Sequence, residues 1–322
     1  MSEQLTIGLD LGGTNTEGVV LTRGNETVIR RSMATEASGG AAHVISRLAG
    51  LVEELISAGG LDKSQIAGVG IGAPGPMSFE RGVILHAPNL PGWKDVALRD
   101  ELRKATSLPV VLENDANAAA FGEFVAGAGE SVRDMVMLTL GTGIGGGIII
   151  DGKLLRGRYD NAGEIGHVIV ERDGRPCPCG QRGCLERYAS ARAIAELATE
   201  AIRSSERSPL REKISRGETI DAADVDQAAQ GGDPTAMRIW DQACRRLAIA
   251  GVMIQHMINP ERIVLAGGLI GAGERLLGPV REYFQNLTWK SAADGPHFAL
   301  ATLGGQAGAV GAAALAVTSR ER

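Results

Sequence analysis

Aromatic residues are scarce in this chain, with 3 Trp, 3 Tyr and 5 Phe among 322 residues. Stacking surfaces for bases are correspondingly few, which counts against a single-strand nucleic-acid binder. Nor is there an excess of positive charge. The formal net charge is −5, with 33 Lys and Arg against 38 Asp and Glu, whereas a phosphate-backbone binder draws much of its affinity from cations. A long hydrophobic run is also missing. Residues 135–150 are nearly uncharged but fall short of the roughly 20 residues a membrane helix needs, and glycines interrupt them. The opening MSEQLTIGLD has neither the basic start nor the apolar run of a signal peptide, so a cytoplasmic location is expected. In that reducing compartment the 4 cysteines are expected as metal ligands or redox groups, not disulfides.

Glycine, by contrast, is abundant. A total of 45, in a chain with 44% hydrophobic residues, predicts tight strand connections and close backbone approaches to ligands. The length favours two lobes over one. Apolar patterning reads as strands over residues 6–11, 18–21, 27–31, 66–71, 82–85 and 110–112. Helical spacing covers 41–58, 95–106 and 116–126, which together give a mixed α/β sheet. Further on, a helical region starts near residue 190 and is broken by the polar stretch 204–218. Asp233-Pro234 caps a helix that runs to about residue 258, before Asn259-Pro260. RIVLAGG, 262–268, reads as a buried strand entering a glycine turn, and 306–317 as a closing helix. IGLDLGGTNTEGVVLTRG and VMLTLGTGIGGGIIIDG each read strand, glycine turn, strand, with Asp10 aligned to Thr139. Two related lobes presenting matching turns are expected.

DLGGTN, residues 10–15, puts the Asp10 carboxylate at a strand end and two glycines in a turn whose N–H groups can face a phosphate. An empty β-hairpin turn is the alternative. A Walker loop is excluded, because GK[ST] is missing and a strand follows in place of a helix. GTGIGG, residues 141–146, matches the dinucleotide fingerprint by letter only, since a strand again stands where the pyrophosphate needs a helix N-terminus. A second phosphate-facing hairpin, or a plain turn, remains. NDAN, residues 114–117, lies where the apolar PVVL passes into the helical AAAFGEFVAGA. Helix capping by Asn114 or Asp115 is the ordinary reading. A rigidly held Asp115 can also orient a hydroxyl and take its proton during attack on phosphorus. GEIGHVIV, residues 163–170, sets Glu164 and His167 ahead of Cys177, Cys179 and Cys184. Gly180 and Gly183 can take positive φ and let the chain wrap an ion. The resulting Cys3His set is the composition of closed tetrahedral zinc sites, so metal binding is read over free thiols. Cys244 falls in a helical run and reads as core.

DLGGTN, NDAN, GTGIGGG, GEIGH and CPCGQRGCLE, in this order, resemble the ROK family of sugar kinases and repressors over nearly the whole chain. The resemblance implies an α/β, two-lobed actin-like ATPase fold, a duplicated RNase H-like architecture with the ligand cleft between lobes. One lobe is expected over 1–117, completed by 303–322, and a larger one over 118–302 carrying the cysteine loop. By motif position Asp115 resembles the general base, and Asn114, Glu164, His167 and Glu186 the sugar-hydroxyl ligands. Asn89, in PNLPGW, joins them by likeness to the family's glucokinases. His167, Cys177, Cys179 and Cys184 resemble the zinc ligands. Asp10, Gly12, Gly13, Thr14 and Asn15 match the metal and phosphate end of the nucleotide site, Gly141, Thr142 and Gly143 the second phosphate turn, and Gly267 and Gly268 the adenosine-side turn. Many members carry lysine after GGT where this chain has Asn15, which leaves phosphate neutralisation to Mg2+. Family repressors carry an N-terminal helix-turn-helix domain, yet only nine residues precede Asp10, so a kinase is expected. The implied activity is phosphorylation of a hexose by ATP with Mg2+ and a structural Zn2+, most like a glucokinase. Mannose, fructose or an N-acetylhexosamine such as N-acetylmannosamine are alternative substrates, polyphosphate an alternative donor, and a non-catalytic sugar sensor the competing class. A homo-oligomer with neither nucleic-acid nor membrane partners is expected.

Overall fold

The computed structural model describes residues 4–87, 89–203, 208–289 and 295–318. The chain opens with a hairpin of β1 (Leu5–Leu11) and β2 (Asn15–Leu21), followed by β3 (Thr27–Ala34) and α1 (Gly40–Ala58). Next come β4 (Ile66–Ala73), β5 (Met77–Ser78), β6 (Val83–His86), β7 (Lys94–Val96) and α2 (Leu98–Thr106). Then β8 (Val110–Asn114) runs directly into α3 (Asp115–Ala126), and a second hairpin, β9 (Met135–Leu140) and β10 (Ile144–Ile150), is followed by β11 (Lys153–Leu154). Helices α4 (Glu186–Ala189), α5 (Ala191–Arg203), α6 (Pro209–Ser215), α7 (Ala222–Gln230) and α8 (Pro234–Met257) lead to β12 (Arg262–Ala266). The chain ends with α9 (Glu274–Leu287), β13 (His297–Leu300) and α10 (Ala307–Thr318).

Two five-stranded sheets have the same build. One has the order β3-β2-β1-β4-β8 and the other β11-β10-β9-β12-β13, while β5-β6-β7 form a small third sheet. In the first, the hairpin strands pair antiparallel and β1, β4 and β8 run parallel. In the second, β9, β12 and β13 are likewise parallel. The expected alignment of Asp10 with Thr139 appears in the registers, since Asp10 pairs with Gly72 on β4 and Thr139 with Ala266 on β12. The duplicated hairpin seen in the sequence is therefore a duplicated sheet.

The chain packs as two compact units, one of Met1–Arg133, Gly147–Gly163 and Thr302–Arg322, the other of Asp134–Gly146 and Glu164–Ala301. The first unit extends past the lobe boundary expected at residue 117 because α3 packs on α10. Gly311 of α10 lies so close to the Ala118 carbonyl that a Cβ would overlap it, and Gly8 of β1 is equally tight against Ala309. Such backbone contact is what the small-residue sequence of α10 permits. The other face of that sheet buries Ile7, Leu9 and Leu11 against Val44, Leu48, Leu51 and Leu55 of α1. Each side chain so buried contributes about 1.5–3 kcal/mol.

Some expectations need correction. Residues 95 and 96 of the expected 95–106 helix belong instead to strand β7, paired with β6, and Asp95 takes a left-handed φ of +54° that no α-helix holds. The polar stretch 204–218 contains α6, started by Ser208, whose side chain accepts from Leu210 N–H, with Pro209 in the first turn. Residues 204–207 of that stretch lie outside the described residues. Among the described residues no helix is long and apolar enough to cross a membrane.

Glu123 is fully buried near the end of α3, and its carboxylate accepts from the N–H groups of Ala128 (2.9 Å), Thr302 (3.0 Å) and Leu303 (2.7 Å). It fixes the chain where Thr302 enters this unit. Glu123→Leu keeps bulk but strands those donors, so it should cost about 3 kcal/mol or more in urea unfolding. An unchanged midpoint would remove Glu123 from the support of this unit.

Candidate functional site

In the first unit the DLGGTN turn is closed by Gly12 N–H donating to the Asn15 carbonyl at 3.0 Å. Thr35, fully buried after β3, then fixes it. Its N–H donates to the Thr14 carbonyl at 2.7 Å, its hydroxyl donates to the Gly12 carbonyl at 2.7 Å, and Thr16 Oγ1 lies 2.9 Å away. With the carbonyls of 12 and 14 drawn to one side, the turn's remaining N–H groups can serve an anion. A Cβ on Gly13 would stand 3.0 Å from the Asn89 carbonyl, so the turn and the PNLPGW loop are in contact. Leu90 and Trp93 anchor that loop in the core, while Asn89 is exposed and Pro88 lies outside the described residues.

Asp10 sits one residue before the end of β1, opposite Glu17 of β2 and against Gly308 in the first turn of α10. Burial, then the neighbouring carboxylates of Asp115 and Glu17, push it up to about 7 from 3.8. Asp115 is the first residue of α3, and its Oδ1 accepts from Ala116 N–H at 2.8 Å. The capping reading of Asn114 is realised: Oδ1 accepts from the N–H groups of Ala116 (3.0 Å) and Asn117 (3.2 Å). Any ligand therefore falls to its Nδ2. The unit thus brings together Asp10, Gly12, Gly13, Asn89 and Asp115. No motif pointed to Thr35, a lone threonine in a loop, or to Gly308.

In the second unit the turn at 141–143 is closed by Gly141 N–H donating to the Gly143 carbonyl at 3.0 Å. Glu186, first residue of α4, reaches this turn, and its Oε2 accepts from Ile144 N–H at 2.9 Å. A Cβ on Gly143 would overlap the same oxygen, so any side chain there displaces Glu186. Ala191 N–H donates to the Gly141 carbonyl at 2.9 Å, fixing the α4–α5 corner on the turn. Gly267, past the end of β12 with φ +86°, lies against the Leu140 carbonyl and brings the Gly267–Gly268 turn beside it. Thr142 stays exposed at the tip.

His167, Cys177, Cys179 and Cys184 converge, with their ligand atoms all within 4.8 Å of one another. Cys179 and Cys184 Sγ are 3.7 Å apart, and Cys177 Sγ lies 3.7 Å from His167 Nδ1. A disulfide needs about 2.05 Å. Two sulfurs each about 2.3 Å from a tetrahedral ion stand about 3.8 Å apart, so the cluster fits a zinc ion. The loop is held in shape by bridges between Ile169 and Cys184 and between Pro176 and Arg182. The thiols are unequal: the Gln181 N–H is the main cause that lowers Cys179 to about 6, whereas burial raises Cys177 and pushes Cys184 up to about 12. A cation among them is what would hold all three as thiolates. His167 Nε2 points the other way, 4.0 Å from the exposed carboxylate of Glu164. Cys244 is buried in α8, as expected of a core residue.

The raised pKa of Asp10 makes stability depend on pH. Its folded value, about 7, exceeds the unfolded 3.8, so its ionisation costs nothing below the lower value and weighs fully against folding above the higher. Asp10→Asn should raise the thermal midpoint of metal-free protein more at pH 8 than at pH 5. Equal shifts at both would mean that ionised Asp10 is not strained.

A family model described as the ROK family matches residues 6–319. A glucokinase of Halalkalibacterium halodurans is 39% identical over 312 residues, 97% of this chain and 94% of that one. The crystal structure of a ROK hexokinase from Thermus thermophilus superposes with a TM-score of 0.85 at 35% identity, covering 99% of both chains. A ROK family glucokinase from Streptomyces griseus, solved in complex with glucose and AMPPNP, gives 0.79 at 35% identity, covering 98% of this chain and 99% of that chain. With its duplicated sheet and these neighbours, the chain has the actin-like ATPase fold and belongs to the ROK family.

Proposed function

We propose that the protein transfers the γ-phosphoryl group of ATP to the 6-hydroxyl of a hexose, with glucose the preferred sugar. The observation that carries this reading is Asp115 at the β8–α3 junction, close enough to Asp10 to raise it and in the same unit as the turn at 12–15. The likeness to glucokinases over nearly the whole chain supports glucose over other hexoses. Asp115 takes the proton of the hydroxyl as its oxygen attacks phosphorus, the new O–P bond forms, and ADP leaves. Charge developing on the transferred group meets the N–H groups of the turn at 12–15, in the same unit as Asp115. Sugar hydroxyls are assigned to Asn89, Asn114, Glu164, His167 and Glu186, and the adenosine side to Gly267 and Gly268.

Asp10 is the residue for Mg2+, because a buried carboxylate beside two others is favourable only with a cation near it. Mg2+ supplies charge neutralisation of the phosphates. Asn15 brings no charge of its own, so this turn contributes dipoles only. Zinc is assigned to His167, Cys177, Cys179 and Cys184. Four protein ligands close a tetrahedral ion, so its role is to order a glycine-rich loop and to hold His167 by Nδ1 with Nε2 turned toward the sugar.

ADP release over a panel of glucose, mannose, fructose and N-acetylmannosamine tests the substrate, and no release with any sugar would favour a sensor. Asp115→Asn should lower kcat by roughly 10²–10⁴ while sugar affinity stays within a few-fold. Near-normal turnover removes Asp115 from the mechanism. Cys179→Ser should lose stoichiometric zinc and weaken sugar binding by roughly 10–100-fold with little change for nucleotide. Zinc-free protein that binds glucose as tightly as the parent in calorimetry would break that link.

A further inference from the structure

We propose that Arg156 is a positioning residue for Asp115, acting through the buried carboxylate of Glu113; this rests on Asp115 being the base. Glu113 is only 3% exposed, yet both its oxygens are fully engaged. Oε2 accepts from Arg156 Nε and Nη2, each at 2.7 Å. Oε1 accepts from the Asn114 N–H and from Asn117 Nδ2, each at 3.0 Å. Those two donors flank Asp115 in the chain. The carboxylate therefore grips the strand end on one side of Asp115 and the first turn of α3 on the other.

Arg156 is held as firmly as it holds. Its guanidinium lies over the Phe79 ring, 4.0 Å from the centroid, its carbonyl accepts from Ala162 N–H at 3.0 Å, and the Phe79 N–H donates to Asp160 at 3.0 Å. Arg99 in turn donates to the carbonyls of Phe79, Glu80 and Arg81 at 3.0–3.3 Å. The segment following β11, the β5–β6 hairpin and the start of α3 are thus joined at one ion pair. Stability alone does not call for this arrangement, since apolar residues of similar volume commonly stabilise as well as a buried ion pair does. What the pair adds is direction. A planar guanidinium fixes Oε2 with two donors, which leaves Oε1 as a fixed acceptor for the two donors beside Asp115.

Arg156→Met should lower kcat by roughly 10–100-fold, the loss typical of a slightly misplaced catalytic group, with the KM for ATP within about three-fold. Arg156→Met also leaves a buried carboxylate without its cation, so it should lower the thermal midpoint. Glu113→Gln/Arg156→Met removes that charge and should regain the midpoint without regaining kcat, whereas a merely structural pair would regain both. Arg156→Lys should keep the midpoint closer to the parent yet recover less than half of kcat, because a single ammonium has no fork. In an Asp115→Asn background Arg156→Met should cost little further turnover, since both losses act through one group. Independent, multiplicative losses there, or parental kcat in the folded double variant, overturn the inference while leaving Asp115 as base. Parental turnover in Asp115→Asn alone overturns the base assignment and this inference with it.

Discussion

Negative charge crowds the ends of neighbouring strands in the first unit, and its compensation decides what that unit can do. Asp10 and Glu113 both stand in register with Gly72, which has no side chain to separate them, and Asp115 follows two residues on. Protein charge neutralises Glu113 directly, through its pair with Arg156. Asp10 is instead driven up to about 7 by burial and by its acidic neighbours. A buried carboxylate in that state is a poor contributor to folding and a good partner for a cation. The fold accepts the cost at Asp10 and removes it at Glu113, which separates a position able to take a metal from one that fixes geometry.

The turns and the cysteine cluster were legible in the sequence because each is contiguous and has a local physical reason. Glycines mark where backbone must approach closely, and Cys177, Cys179 and Cys184 with His167 form one loop. The alignment of Asp10 with Thr139 was legible for a related reason, since a duplicated hairpin keeps its pattern. Thr35, Arg156 and Gly308 were not. Each acts on a residue far away in the chain, through a contact that only the assembled sheet creates. Nor was α9 read, although Leu276, Leu277, Val280 and Phe284 fall on one buried face, because Pro279 inside it argues locally against a helix. The 95–106 helix was read too long for the opposite reason, as charged residues with helical propensity gave no hint of Asp95's left-handed backbone.

The second unit solves a different problem. The loop from Glu164 to Glu186 is rich in glycine, proline and charge, and can bury little apolar surface of its own. Its order comes from Tyr188, whose hydroxyl accepts from Arg175 N–H at 2.7 Å and whose ring carries Arg246 at 4.4 Å, and from the convergent thiols and imidazole. A metal ion bound to this cluster would substitute for a core and hold together groups that otherwise ionise at very different pH.

The two glycine turns, finally, differ from simple phosphate cradles in the same way. In the first hairpin Gly13 lies against Asn89, and in the second Gly143 lies against Glu186; both partners are assigned to the sugar. Glycine at each position thus leaves room for the residue packed behind the turn, Asn89 in the first and Glu186 in the second. A substitution at Gly143 therefore cannot be read as a test of the nucleotide alone, because its first effect is to move a carboxylate bonded to Ile144. The glycine content that made these segments conspicuous reflects close packing of each turn against a polar side chain or loop of its own unit.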